Sequence, residues 1–263
     1  MAKKNSWQHA DVQRGEHAAR RVYAELGISH PTEAPLEVLA YLRGALVRDL
    51  PMRGALGRIS RVGPSAVISI STSISYAPRR RWTIAHELGH LELHKTGSQL
   101  ELCKDADISE NYDAGTEREA NAFASEFLMP STLWSKCVDV AEPNLDIVGT
   151  LAKEFEVSFT AAAIRFVKLC PECCCVVFAK EGKIEWFARG SDFDYQMQQG
   201  TKLDPYTLAF DYFKKGTVTT RPETVSASAW LSDKYVKADD ELVEHCRILP
   251  HLGATLSLLW VPP

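Results

Sequence analysis

Long hydrophobic runs are missing from this sequence: no stretch approaches the roughly 18 apolar residues that a membrane helix requires. The first residues, MAKKNSWQHADV, lack the apolar core of a secretory leader. A basic excess is missing too. With 30 Lys and Arg against 34 Asp and Glu, the net charge of −4 argues against bulk electrostatic binding to nucleic acid or anionic membranes. There is no internal repeat and no low-complexity linker. Cysteine usage excludes a disulfide framework, because the seven cysteines are odd in number and three are adjacent at 173 to 175. Together these absences predict a cytoplasmic protein with free thiols and no membrane partner.

What is present is ordinary globular composition. Apolar residues are 45% and charged residues 24% of 263, enough for one large domain or two modest ones. Residues 8–26 are patterned as a helix that stops at Gly27, with Pro31 beyond it, and residues 35–43 suggest a second short helix. From Ala45 to Tyr76, Gly54, Gly57, Gly63 and Pro64 punctuate a β-branched alternation (SAVISISTSIS) that predicts two or three strands. Helical periodicity returns near Arg80 and runs to Leu169, interrupted by a loop at 96–115. After CPECCC the pattern turns to short strands. CCVVFAKEGKIEWFAR predicts a hairpin turning at Glu181-Gly182, followed by a helix over 203–214 and a strand ending ATLSLLWV. A domain boundary is expected near residue 170.

The chemistry concentrates in RWTIAHELGH, residues 81–90. His86 and His90 are four apart, so on a helix both imidazoles share one face and reach one ion. Catalytic zinc takes three protein ligands and keeps one position open, and Glu87 is placed to act as base toward water activated there. Ile84, Leu88 and Leu91 form an apolar stripe that buries one side of this helix. Gly89 costs about 1 kcal/mol relative to Ala in a helix, and such a glycine marks close approach by another element.

A third ligand is expected on TEREANAFASEFLMP, residues 116–130, a helix ended by Pro130. Glu117 and Asn121 share a face with the small residues Ala120 and Ala124, which allow close approach to Gly89. Glu117 is the expected ligand and Asn121 a hydrogen-bond partner for a ligand histidine. Glu119 and Glu126 are the competing acids. Thr116 and Glu119 fit a capping box, which gives Glu119 a structural task.

The stretch RRRWTIAHELGHLELH, followed by E-x-x-A-N-x-F-A-x-E-x-L-M-P from Glu117, resembles the ImmA/IrrE family of bacterial zinc metallopeptidases over residues 45–170. In gluzincin-type enzymes HExxH is paired with a downstream Glu and, four residues later, Asp or Asn, a pattern that Glu117 and Asn121 match. The resemblance implies an α+β fold: a helical zinc-peptidase core with a small β-sheet, plus a C-terminal β-rich GAF-like domain. It implies N-terminal helices over 1–44, the core over 45–140, a helix-turn-helix-like segment over 141–169 and the sensory domain over 170–263. The implied function is zinc-dependent cleavage of a helix-turn-helix transcriptional repressor in a stress, DNA-damage or mobile-element response. The alternative is a non-catalytic metal-containing regulatory or antitoxin-like binding protein. Glu87 argues against that, because a binding-only site needs no base. His94 and Tyr112 are candidate oxyanion stabilisers.

Four further features bear on function. The second helix of the helix-turn-helix-like segment, FTAAAIRFV, offers almost nothing that reads a base edge, so it is expected to pack rather than bind DNA. Between Arg43 and Arg81 lie eight arginines and one acid, Asp49. That run reads as a solvated face or as an anion strip for an acidic substrate or an activator such as single-stranded DNA. Cys170 and Cys173 have metal-binding spacing but lack two further ligands, and a buried strand start or a redox role are the other readings. Cys103 lies in the loop ELCKDADISENYD between the two ligand-bearing helices, beside Lys104. A loop tethered at both ends keeps it near the open coordination position, where a thiolate would act as an inhibitory zinc ligand. The simpler reading is a loop thiol packed by Leu102.

Overall fold

The computed structural model describes residues 3–63, 65–94, 101–103, 115–234, 236–237 and 239–263. Its architecture is α+β, with eight α-helices and two sheets among the described residues. The chain divides into two compact units, Met1–Pro130 with Phe155–Ser158, and Ser131–Glu154 with Phe159–Pro263.

The first unit runs α1 (Lys3–Leu26), α2 (Leu36–Leu42), β1 (Ala45–Leu50), β2 (Gly57–Val62), β3 (Ser65–Ser71), α3 (Ala77–Leu93), β4 (Glu101–Cys103) and α4 (Gly115–Leu128). Its sheet has the order β1-β3-β2-β4, with β1 parallel to β3 and the other pairs antiparallel. The register Gly57↔Ile70 and Ile59↔Ile68 puts alternate residues of β2 and β3 on one face. That face lies under α3, since a Cβ added at Gly57 would meet Thr83 and Glu87. α3 opens with Pro78, whose fixed φ suits a first turn, and buries Ile84 and Leu88. α1 lies against α4 through Gly15, Ala18, Ala19 and Val22, with a Cβ at Gly15 only 2.3 Å from the Glu119 carbonyl. Strand β4 falls inside the stretch expected to be a loop, where LEL and ELC give too short an alternation to distinguish from irregular chain.

The second unit runs α5 (Ser131–Val138), α6 (Leu145–Glu154), α7 (Phe159–Leu169), β5 (Cys174–Lys180), β6 (Lys183–Arg189), α8 (Leu208–Lys215), β7 (Glu223–Ser226), β8 (Glu241–Leu249) and β9 (Ala254–Trp260). Its antiparallel sheet has the order β6-β5-β9-β8-β7. The β5–β6 hairpin turns at Glu181 (φ 52°) and Gly182 (φ 71°), two left-handed residues that match the twist of paired strands. Helices α6 and α7 group with this sheet: His245 on β8 accepts a hydrogen bond from the Leu145 amide at 3.0 Å, and Arg247 pairs with Asp146. α8 begins later than expected because Thr207 caps it, its hydroxyl accepting from the Phe210 amide, and it ends at left-handed Gly216. Cys175 and Cys246 lie in the apolar core, and the Cys173 thiol donates to the Asp192 carbonyl. Among the described residues Cys170 and Cys173 join no ligand cluster, so the metal reading of that pair is replaced by packing.

Candidate metal centre

α3 and α4 build the site together. His86, Glu87 and His90 lie in the buried middle of α3, 2%, 0% and 1% exposed, and Glu117 in the first turn of α4. Gly89 explains how the helices come so close. A Cβ there would sit 3.1 Å from the Ala120 Cα and 3.2 Å from its carbonyl oxygen, so glycine on one helix faces alanine on the other.

The donor atoms converge. His86 Nε2 lies 3.0 Å from His90 Nε2, and the two Glu117 oxygens lie 3.1 Å from His86 Nε2 and 3.3 Å from His90 Nε2. Donors around a tetrahedral zinc with bonds of about 2.0–2.1 Å are about 3.3 Å apart, so these three fit that ion as they stand. Among the described residues this is the one group of three such side chains that could hold a metal. Electrostatics agree. Burial opposes charge on His86, but its hydrogen bond to the Glu117 carboxylate and the nearby Glu87 outweigh it and raise its pKa. Burial likewise opposes ionisation of Glu117, yet hydrogen bonds from His86 and His90 hold its carboxyl well below the usual range. Both shifts mean that the cluster favours positive charge at its centre.

The outer contacts orient the rings. His86 Nδ1 is 2.9 Å from Asn121 Oδ1. With its Nδ1 proton donated there, His86 keeps an Nε2 lone pair facing inward. His90 Nδ1 is 3.0 Å from His94 Nδ1, and His94 Nε2 is 2.7 Å from Glu119 Oε2. His94, expected as an oxyanion stabiliser, therefore stands behind His90 with both ring nitrogens engaged. Glu119 does not form the expected capping box. α4 starts at Gly115, which puts Thr116 inside the helix, and the Glu119 carboxylate goes to His94 and to Arg14, 2.8 Å away. Glu87 packs against β2, and a Cβ at Gly57 would come within 2.5 Å of its Oε1. The Cys103 backbone pairs with Gly57, while its side chain, Lys104 and Tyr112 lie outside the described residues.

Two contributors escaped the sequence reading. Arg61 on β2 donates to the carbonyls of His90, Leu91 and His94, at 3.4, 3.2 and 3.0 Å, and so closes the C-terminal end of α3. Arg14 on α1 reaches the site through Glu119. Much of the arginine run is committed internally: Arg43 to Glu92 and Glu25, Arg48 to Ser69, Arg80 to Asp49 and Glu37, Arg81 to Glu156 and the Pro31 carbonyl. With Arg61, these five have structural tasks that an anion strip would have to break.

No described helix is long and apolar enough to cross a membrane. Comparison with curated proteins finds no match. Among solved structures, a Mycobacterium tuberculosis transcriptional regulator is similar, with a TM-score of 0.57 and 18% identity over 94% of this chain and 75% of that one. At that identity the likeness concerns the fold. A family model described as the IrrE N-terminal-like domain, Peptidase M78, matches residues 43–167, which include both ligand-bearing helices. Residues 43–167 of this chain are thus similar to the IrrE N-terminal-like domain of the M78 peptidases.

Proposed function

We propose that this chain is a zinc-dependent endopeptidase that cleaves a helix-turn-helix transcriptional repressor. The observation that carries the reading is the convergence of His86, His90 and Glu117, with the buried carboxylate of Glu87 on the same helix. Zinc held by those three residues supplies a Lewis acid for a peptide carbonyl and makes water a better nucleophile. The chain's own part is proton handling and orientation. Glu87 takes the proton of the attacking water and passes it to the leaving nitrogen. Asn121 Oδ1 accepts a hydrogen bond from His86 Nδ1 and so leaves Nε2 of that ring facing inward. A binding-only centre has no use for a carboxylate at position 87, which disfavours a non-catalytic regulator.

The choice of substrate follows from the family resemblance, and a transcriptional regulator of similar fold is in keeping with it. In this reading the C-terminal sheet with α8 is a GAF-like sensory domain that receives the signal. Cys103, paired through its backbone with Gly57 beside Glu87, is the thiolate that restrains the site, and Cys103→Ala raises basal cleavage with zinc unchanged. An activator such as single-stranded DNA would have to compete with the internal pairs of Arg43, Arg80 and Arg81.

The test is co-expression with a helix-turn-helix regulator encoded beside the chain, with mass spectrometry of the fragments. A single cut is expected, absent from Glu87→Gln although that variant keeps its zinc. Full zinc retention by both His86→Ala and His90→Ala, or general digestion of casein by the wild type, would overturn the reading.

A further inference from the structure

The geometry points to a second set of residues that serve the metal centre: His94, Glu119 and Arg14 form a hydrogen-bonded relay that holds His90 in its metal-binding tautomer. The inference rests on the proposed zinc site and deepens it. His90 can face the cluster with a lone pair only from Nε2, the atom 3.0 Å from His86 Nε2 and 3.3 Å from Glu117. Its proton must then sit on Nδ1. That N–H requires an acceptor, and the atom 3.0 Å away is Nδ1 of His94. A His94 that accepts through Nδ1 carries its own proton on Nε2, which lies 2.7 Å from Glu119 Oε2. Glu119 in turn accepts from Arg14 Nη1 at 2.8 Å through its other oxygen.

Each link therefore pairs one donor with one acceptor, and the carboxylate end sets the direction. In the reverse arrangement His94 would donate from Nδ1 and leave a lone pair on Nε2 facing a carboxylate oxygen at 2.7 Å. Two acceptors at that distance repel. His90 would then carry its proton on Nε2, pointing into the cluster. A chain ending in a carboxylate and a guanidinium, the second of which cannot lose its proton, excludes that state for a neutral His94.

The backbone fixes the middle member. His94 is the residue after α3, with φ −114° and ψ 64°, and its carbonyl is held by Arg61 at 3.0 Å. Its ring is thus held at both ends, by Arg61 through the backbone and by Glu119 through Nε2. The relay mirrors what Asn121 does for His86 with one residue. His94 and Glu119 are positioning residues here, and the sequence pattern H-E-x-x-H-x-x-x-H with E-x-E on α4 carries them.

The experiment measures zinc affinity at fixed pH by competition with a chromophoric chelator, using the full chain. His94→Leu removes the acceptor at similar volume, and its zinc dissociation constant should rise on the order of 10–100-fold. His94→Asn places Oδ1 where Nδ1 stood, as Asn121 does for His86, and should recover most of that loss. Imidazole ¹⁵N NMR should show His94 protonated on Nε2 alone with or without zinc, and His90 protonated on Nδ1 alone once zinc is bound. This readout needs no variant to fold. Equal zinc affinity of wild type and His94→Leu, equal weakness of the Leu and Asn variants, or a His94 protonated on Nδ1 would each overturn the relay. A wild type that binds no zinc overturns the peptidase reading instead, while the His94 tautomer of the metal-free protein still decides the relay.

Discussion

Replacing Glu244 by Gln tests the packing logic of the second unit. Glu244 on β8 is 0% exposed, and its carboxylate receives four hydrogen bonds. Oε2 accepts from the Leu208 amide at 2.9 Å and Trp230 Nε1 at 2.8 Å; Oε1 accepts from the Ala209 amide at 3.0 Å and Ser257 Oγ at 2.8 Å. The two amides open α8, so a strand carboxylate occupies the positive end of that helix. Glutamine keeps the volume and one oxygen. With the NH₂ group at the Oε2 position the Leu208 and Trp230 donors are both stranded; at the Oε1 position only the Ala209 amide is, because the Ser257 hydroxyl can turn and accept. At about 1–3 kcal/mol for each buried donor left unsatisfied, the cheaper orientation loses about 1–3 kcal/mol. Burial works the other way: it is the largest influence on Glu244 and, against the four donors, leaves its pKa raised. A neutral amide escapes that desolvation cost, which places the expected loss in the lower part of the range, about 1–2 kcal/mol.

The assay is denaturant unfolding of the full chain with hydrogen exchange read by peptide. Glu244→Gln should lower the unfolding midpoint and strip protection from α8 first. Its zinc stoichiometry should stay at the wild-type value, because every candidate ligand lies in the first unit. Glu244→Leu, which orphans all four donors, should lose more. A Gln variant within about 0.5 kcal/mol of wild type, the usual range of a neutral surface change, would refute the reasoning.

Three further outcomes follow from the first unit. Gly57 has an ordinary φ, so Gly57→Ala adds no backbone strain, but its Cβ would lie 2.5 Å from Glu87 Oε1 and from Thr83 Cγ2. Displacing the base by roughly 1 Å should lower kcat on the order of 100-fold in the repressor-cleavage assay with zinc content unchanged, and a loss of zinc instead would show that the ligands had moved. Gly89→Val forces α3 from Ala120 and Phe123, which already lie 3.1 Å from a Cβ at that position; zinc affinity and melting temperature should fall together, by about 1–3 kcal/mol in stability. Chelation should destabilise the first unit by about 4 kcal/mol relative to zinc at a thousandfold excess over its dissociation constant, and should leave hydrogen exchange in α8 unaltered.

The parts legible in the sequence are those whose geometry one element determines. The i, i+4 histidines, Gly89 as a contact point and the Glu181-Gly182 turn all follow from local periodicity or from one backbone conformation. Strand β8 was hidden for a physical reason. Glu244, His245 and Cys246 are consecutive and all buried, 0%, 1% and 0% exposed, because both faces of that strand are covered. Burial on both faces erases the period-2 alternation that identifies a strand, and the two ionisable residues make the stretch read as surface. The arginine run misled for a related reason. A charge run looks solvated until the acids that neutralise it are known, and Glu92, Glu25 and Glu156 come from distant parts of the chain.

Distant pairing also decides which acid of α4 faces the histidines. Local spacing favours Glu117 over Glu119 and Glu126, through its shared face with Asn121 and the small residues, but does not show what holds the rival acids away. The separation comes from α1, which presents Arg14 to Glu119 and Arg20 to Glu126, both at 2.8 Å. Those two carboxylates are 5% and 2% exposed, and each turns to the guanidinium that offsets its burial. Glu117 is left with His86 and His90 as its partners. α1 thus leaves Glu117 as the acid of α4 that faces the histidines, by pairing with its rivals. The arginines responsible lie 105 and 106 residues from the acids they hold, a separation at which no periodicity or spacing rule operates.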